Sequence, residues 1–273
     1  MWNGFSKDEL DKAYNNSLAV SNSADLISAW STHSQVARDR LAGSLGIPYG
    51  QGHYQSYDLF LAGDSAPLVV FVHGGFWQNR SKSDFSFIAQ NLVKAGISVA
   101  ILGYTLAPFA TIDQIVNDVK NGIRAIHSTA VIHNTKQGGV WLIGWSAGAH
   151  LITMALDEPC VIGGTAISGI YDLEPMRHCY INDKLQLTAE ASLKNSPIHL
   201  TNHFGKELDL FIGDAELPEM IRQTQTFAEY RRVSNQPGLI RSLGGFNHYT
   251  IFDELINPEG SIFLSLKQRF IAS

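Results

Sequence analysis

Along most of the chain, short wholly apolar runs alternate with longer segments in which apolar residues recur every three or four positions. The run PLVVFVHGG (67–75) is β-branched, apolar and ends on glycines, which predicts a buried strand. ISVAILGY (97–104), GVWLIG (139–144), CVIGGTAISGI (160–170), LDLFIG (208–213) and GLIRSLGG (238–245) predict further strands. Between the first two, SDFSFIAQNLVKAG (83–96) predicts a helix closed by Gly96, the residue type that most readily takes the left-handed position after a helix end. Thr111 with Gln114 forms a capping-box pattern, and behind it Ile112, Ile115, Val116, Val119, Ile123 and Ile126 draw a helical stripe. Helices are also predicted over 147–157, 219–234 and 261–271. Residues 6–42 read as helical too, with Leu10, Ala13 and Tyr14 along one face, followed by a turn-rich stretch at 46–55. The strand–helix alternation begins at Tyr57.

Strands apolar throughout, separated by amphipathic helices, imply an α/β protein: a mostly parallel central sheet with helices on both faces. At 273 residues and 45% hydrophobic, the chain can bury one large core, so a single domain over 1–273 is expected. The N-terminal segment 1–56 and the strandless excursion 172–205 are expected to cover the site. A net charge of −5 argues against a nucleic-acid surface or an anionic membrane as partner. No apolar run approaches a membrane span, and MWNGFSKDEL has no basic and apolar signal pattern. Cys160 and Cys179 lack metal or redox spacing and read as reduced thiols of a cytoplasmic protein. The expected partner is a small-molecule substrate, with a homodimer allowed.

Ligands of such sheets bind outside the carboxyl ends of the strands, and three segments there carry chemistry. Gly144-Trp145-Ser146-Ala147-Gly148 is a G-x-S-x-G pattern between a strand and a helix, which would hold Ser146 on a sharp turn as a nucleophile. His73-Gly74-Gly75-Phe76-Trp77 follows the strand at 67–72. Glycines there allow close approach, so the N–H groups of Gly74 and Gly75, with that of Ala147, are candidate oxyanion donors. His73 itself reads as a structural hydrogen-bonder.

His248 alone of the ten histidines follows the final strand, where this fold places its base. His127 and His133 fall around a helix end, His199 and His203 in the excursion, and His150 one turn beyond Ser146 as a packing residue. The acid should follow the strand at 208–213, where Asp214, Glu216 and Glu219 compete. Asp214 stands early, Glu219 suits a helix N-terminus, and Glu216 is the middle position and the preferred one. No HExxH or HxH spacing suggests a metal, and no cofactor is expected.

The chain resembles the kynurenine formamidase (arylformamidase) group of α/β-hydrolases, near the hormone-sensitive-lipase-like esterases. The resemblance rests on AYNN (13–16), PYG (48–50), YDLF (57–60), HGGFW (73–77), KSDFSF (82–87) and YTLAP (104–108). Further on it rests on GWSAGAHL (144–151), SGIYDLEP (168–175), the LPE and RQ residues within 217–223, and NHYTIFDEL (247–255). These pieces span nearly the whole chain in order. The resemblance implies Ser146 as nucleophile, His248 as base and Glu216 as acid. It departs from the group's pattern at Glu216, often Asp there, which keeps Asp214 open, and at Trp145, often His. The implied reaction is hydrolysis of a small aryl formamide such as N-formylkynurenine through an acyl-enzyme. Alternatives are a broad carboxylesterase for short acyl esters and a non-catalytic ligand receptor on the same fold. Phe76, Trp77, Tyr104 and Tyr171 are the expected lining of an aromatic-friendly pocket.

Overall fold

A computed structural model describes residues 2–132, 138–200 and 205–271; His133 and His203 lie outside the described residues. Eight strands form one sheet: β1 (Gly43–Pro48), β2 (Ser56–Phe60), β3 (Leu68–Val72), β4 (Ser98–Leu102), β5 (Val140–Trp145), β6 (Val161–Ile167), β7 (Glu207–Gly213) and β8 (Ile240–Leu243). Their spatial order is β1-β2-β4-β3-β5-β6-β7-β8. Every pairing from β4 to β8 is parallel, whereas β1–β2 and β2–β4 are antiparallel.

The helices are α1 (Lys7–Ala13), α2 (Asn16–Ala19), α3 (Ser23–Arg40), α4 (Ala89–Lys94), α5 (Ile112–Ile132), α6 (Ala147–Met154), α7 (Asn182–Leu185), α8 (Ala189–Lys194), α9 (Pro218–Val233), α10 (Asp253–Ile256) and α11 (Ser261–Ile271). Alternation along each strand splits the core in two. Leu68, Val70 and Val72 of β3 join the core under α5, α6 and α9, while Val69 and Phe71 join the one under α3, α4, α10 and α11. The apolar stripe of α5 is wholly buried, and Thr111 and Gln114 exchange both capping hydrogen bonds before it. Each fully buried aliphatic side chain contributes roughly 1.5–3 kcal/mol.

Several expected elements differ. The helix expected over 6–42 is three helices, because Asn15 leaves the helical path and caps α2, its side chain accepting from the Leu18 N–H at 3.0 Å. Only the last part of 83–96 is α-helical; two short 3₁₀ turns precede α4, and Phe85 between them and Phe87 on the second pack around Trp30 of α3. β1 had no counterpart among the expected strands, since GSLGIP is short and largely exposed. The strand expected over 238–245 is an exposed four-residue edge, because β8 has β7 as its one neighbour. Among the described residues no helix is long and apolar enough to cross a membrane.

Two histidines in this core are held neutral. His150 on α6 accepts the Trp77 indole N–H on Nδ1 at 3.1 Å and so carries its proton on Nε2, facing the Asn195 carbonyl at 2.7 Å. Burial pushes both His150 and His73 down to about 4 from the ordinary 6.5. The unfolded chain takes up these protons as the pH falls below 6.5, but the folded chain takes them up only near 4. Their stabilising contribution is therefore complete above 6.5 and lost on acidification through that window, by roughly 3 kcal/mol for each ring. Melting temperatures should fall between pH 7 and pH 5, and His150→Asn should shallow that slope. A slope unaltered by the substitution would mean that His150 does not supply it.

Candidate active site

Ser146 sits at the junction of β5 and α6 with φ +58° and ψ −122°, a left-handed backbone that a non-glycine residue adopts under strain. The turn is possible because its neighbours are small. A Cβ on Gly144 would lie 2.3 Å from the Gly148 carbonyl oxygen, and one on Gly148 would lie 2.0 Å from that of Val72. The serine N–H is tied to the Ile167 carbonyl at 2.8 Å, which leaves the side chain to project from the strand end.

His248 lies in the loop after β8, with Nε2 3.1 Å from Ser146 Oγ and Nδ1 2.7 Å from Glu216 Oε2. A carboxylate only accepts, so Nδ1 carries the proton and Nε2 is free to accept from the serine. All three residues are buried. Glu216 is held by two further donors, the Ser168 hydroxyl at 2.5 Å and the Gly213 N–H at 3.0 Å, both on Oε1. Of the competing carboxylates, Asp214 is exposed and accepts the Gly245 N–H at 2.7 Å. Glu219 stands in the first turn of α9, where it accepts from Tyr14 and pairs with Arg222.

Trp145 holds His248 from behind. Its indole N–H donates to the His248 carbonyl at 2.9 Å, and its ring centroid lies 4.9 Å from the imidazole. Trp30 packs edge-on against Trp145 at 5.6 Å, so α3 supports the site through two layers of aromatic rings. Neither Trp145 nor Ser168 is readable in this role from local sequence, though each sits at a strand C-terminus, where supporting groups gather.

Gly74 lies against Ser146: a Cβ there would stand 2.8 Å from the Cβ of that serine and 2.7 Å from the Trp145 carbonyl oxygen. Gly75 takes φ +106°, and a Cβ on it would meet the Asn79 carbonyl at 2.3 Å. Ala147 is the first residue of α6, whose N–H the helix leaves unpaired. The backbone amides of Gly74, Gly75 and Ala147 are thus carried by segments that meet at Ser146.

The cleft above Ser146 has a volume of about 280 Å³. Its walls include Asn16, Phe76, Arg80, Ile181 and Tyr249, so both the N-terminal segment and the excursion reach it. Of the four aromatics expected to line it, Phe76 does. Trp77, fully buried, turns inward to bind His150; Tyr104 stacks on His73 at 4.4 Å and donates to its carbonyl; Tyr171 stacks on Phe227 at 4.2 Å. These three are core residues behind the cleft rather than its lining. A larger cavity of about 390 Å³, walled by Leu208, Arg231 and Ile240, shares no residue with the cleft at Ser146.

The BD-FAE family profile matches residues 58–158. The kynurenine formamidase of Danio rerio is 30% identical over 281 residues, with 94% of each chain covered. A Silicibacter protein provisionally assigned as a thioesterase has a solved structure that superposes with a TM-score of 0.86 at 27% identity, covering 97% of this chain and 99% of its own. An esterase from Pyrobaculum calidifontis superposes with a TM-score of 0.71 at 15% identity, over 92% of this chain and 90% of its own, a likeness of fold alone. The fold is that of the α/β-hydrolases.

Proposed function

The chain belongs to the kynurenine formamidase family, and on that premise we propose that it hydrolyses small aryl formamides such as N-formylkynurenine through a formyl-enzyme. Ser146 Oγ attacks the formyl carbon as its proton passes to His248 Nε2. The oxyanion is met by the N–H groups of Gly74, Gly75 and Ala147. Collapse of the tetrahedral intermediate expels the arylamine, which takes the proton from His248. Water, deprotonated by the same nitrogen, then cleaves the formyl ester, releasing formate and restoring the serine. Glu216 keeps the imidazole in one tautomer and stays ionised throughout. The observation that carries this reading is the continuous Glu216–His248–Ser146 hydrogen-bond chain of 2.7 and 3.1 Å, with Ser146 and His248 lining a cleft, in a relative of a formamidase. Two unpaired cysteines, Cys160 and Cys179, fit a cytoplasmic setting.

The second reading, a carboxylesterase for short acyl groups, is favoured by the likeness to esterase folds and uses the same residues. Steady-state kinetics on N-formylkynurenine, p-nitrophenyl acetate and p-nitrophenyl butyrate separates the two. We expect kcat/KM for the formamide to exceed that for either ester by about tenfold or more, the discrimination a site can build from hydrogen bonds to one substrate class. Esters turned over faster than the formamide would transfer the assignment to the carboxylesterase. A serine that fails to label with a fluorophosphonate would leave only the receptor on this fold.

A further inference from the structure

Two polar side chains in the cleft are used neither by the hydrolytic machinery nor by the fold. Arg80 lines the cleft half-buried and, among the described residues, makes no hydrogen bond and no ion pair. It stands at φ +76°, at the end of a turn in which Gly75, Phe76 and Trp77 are also left-handed. Left-handed backbone at three non-glycine residues so close together is costly and persists where the surroundings impose it. Asn16 lines the same cleft from the N-terminal segment, 4% exposed, with neither its carboxamide oxygen nor its nitrogen partnered. Its neighbour Ser17 is tied to Tyr249, the residue after the base, at 2.7 Å. A buried carboxamide without partners is costly, and native interiors rarely keep one that nothing ever satisfies.

We propose that Arg80 and Asn16 form a recognition subsite for a carboxylate-bearing arm of the substrate, next to the acyl group that Ser146 attacks. Arg80 supplies a guanidinium fork that pairs with a carboxylate, and Asn16 adds one donor and one acceptor beside it. No Asp or Glu lines the cleft among the described residues. The chain carries a net charge of −5, so its overall field repels anions and the preference must come from this local cation. The inference rests on Ser146 as the nucleophile, but it holds for a formamide or an ester alike.

Two matched substrate pairs test it. N-formylkynurenine is compared with 2-formamidoacetophenone, which lacks the amino-acid arm, and the 4-nitrophenyl monoester of succinic acid is compared with p-nitrophenyl acetate. The parent enzyme should favour the carboxylate-bearing member of each pair it hydrolyses. Arg80→Gln should cut that preference about tenfold to a hundredfold, mostly through KM, as loss of a charge-assisted hydrogen bond does, and Arg80→Lys should restore part of it. Asn16→Leu should raise KM for the carboxylate-bearing member with an equal or higher melting temperature, because it removes an unpaired buried amide. A parent without preference in either pair, or a preference that Arg80→Gln leaves intact, overturns the subsite. KM unmoved in Asn16→Leu removes Asn16 from it. Turnover of the ester pair alone would instead count against the formamide reading, while the ester ratio still reports on Arg80.

Discussion

Ser146→Ala should lower kcat by about 10⁴-fold or more while the protein melts at nearly the parent temperature. The loss is large because no other nucleophile lies within hydrogen-bond reach of His248 Nε2, whose one side-chain partner among the described residues is Ser146 Oγ at 3.1 Å. Stability changes little for two reasons. Alanine keeps the Cβ, so the left-handed turn at φ +58° is no worse for the substitution. The lost hydroxyl made one neutral hydrogen bond, worth about 1 kcal/mol net. What remains should still exceed the uncatalysed rate, since the amides of Gly74, Gly75 and Ala147 and the cleft are untouched. The measurement pairs steady-state turnover with fluorophosphonate labelling and a thermal melt. A folded variant retaining a tenth of parental kcat would take the nucleophile's role from Ser146.

Much of this arrangement is legible in the sequence because it is local. The stripe of α5, the mainly apolar runs of β3 to β7 and the G-x-S-x-G turn between β5 and α6 each announce themselves within a dozen residues. Elements that depend on distant partners are silent. β1 is drawn into the sheet by backbone pairing with β2, which GSLGIP has no apolar pattern to reveal. Ser168 supports Glu216 from 48 residues away, and Trp145 supports His248 from 103. Aromatic identity is equally mute about direction. Phe76 and Trp77 are adjacent and both left-handed, yet one faces the cleft and the other seals onto His150 in the core. The choice is made by α6, which brings a ring nitrogen to where only Trp77 can donate. Asn16 belongs to the same class: its place in the cleft comes from the break at Asn15 and the tie between Ser17 and Tyr249, not from any helical period.

Glu216→Gln should lower kcat by about 10²-fold or more, whereas Asp214→Asn should cost less than about tenfold. The glutamate's two oxygens are fully committed to donors: Oε2 to His248 Nδ1–H, Oε1 to the Ser168 hydroxyl and the Gly213 N–H. A glutamine cannot satisfy that set in either orientation. With its oxygen toward His248, its NH₂ faces the Gly213 N–H, two donors without an acceptor between them. With its NH₂ toward His248, it donates to Nδ1 and drives the imidazole proton to Nε2. The base then presents a donor to Ser146 Oγ and cannot take its proton. Either outcome also removes the negative charge that stabilises the imidazolium. Asp214 differs in each respect: it is exposed, and its contact is the Gly245 N–H at 2.7 Å, which the amide oxygen of asparagine still accepts. Thermal melts of both variants separate lost chemistry from lost structure. If both stay folded and Asp214→Asn is the more damaging to kcat, the acid is Asp214, and the hydrogen bond that His248 donates to Glu216 serves only to hold the loop.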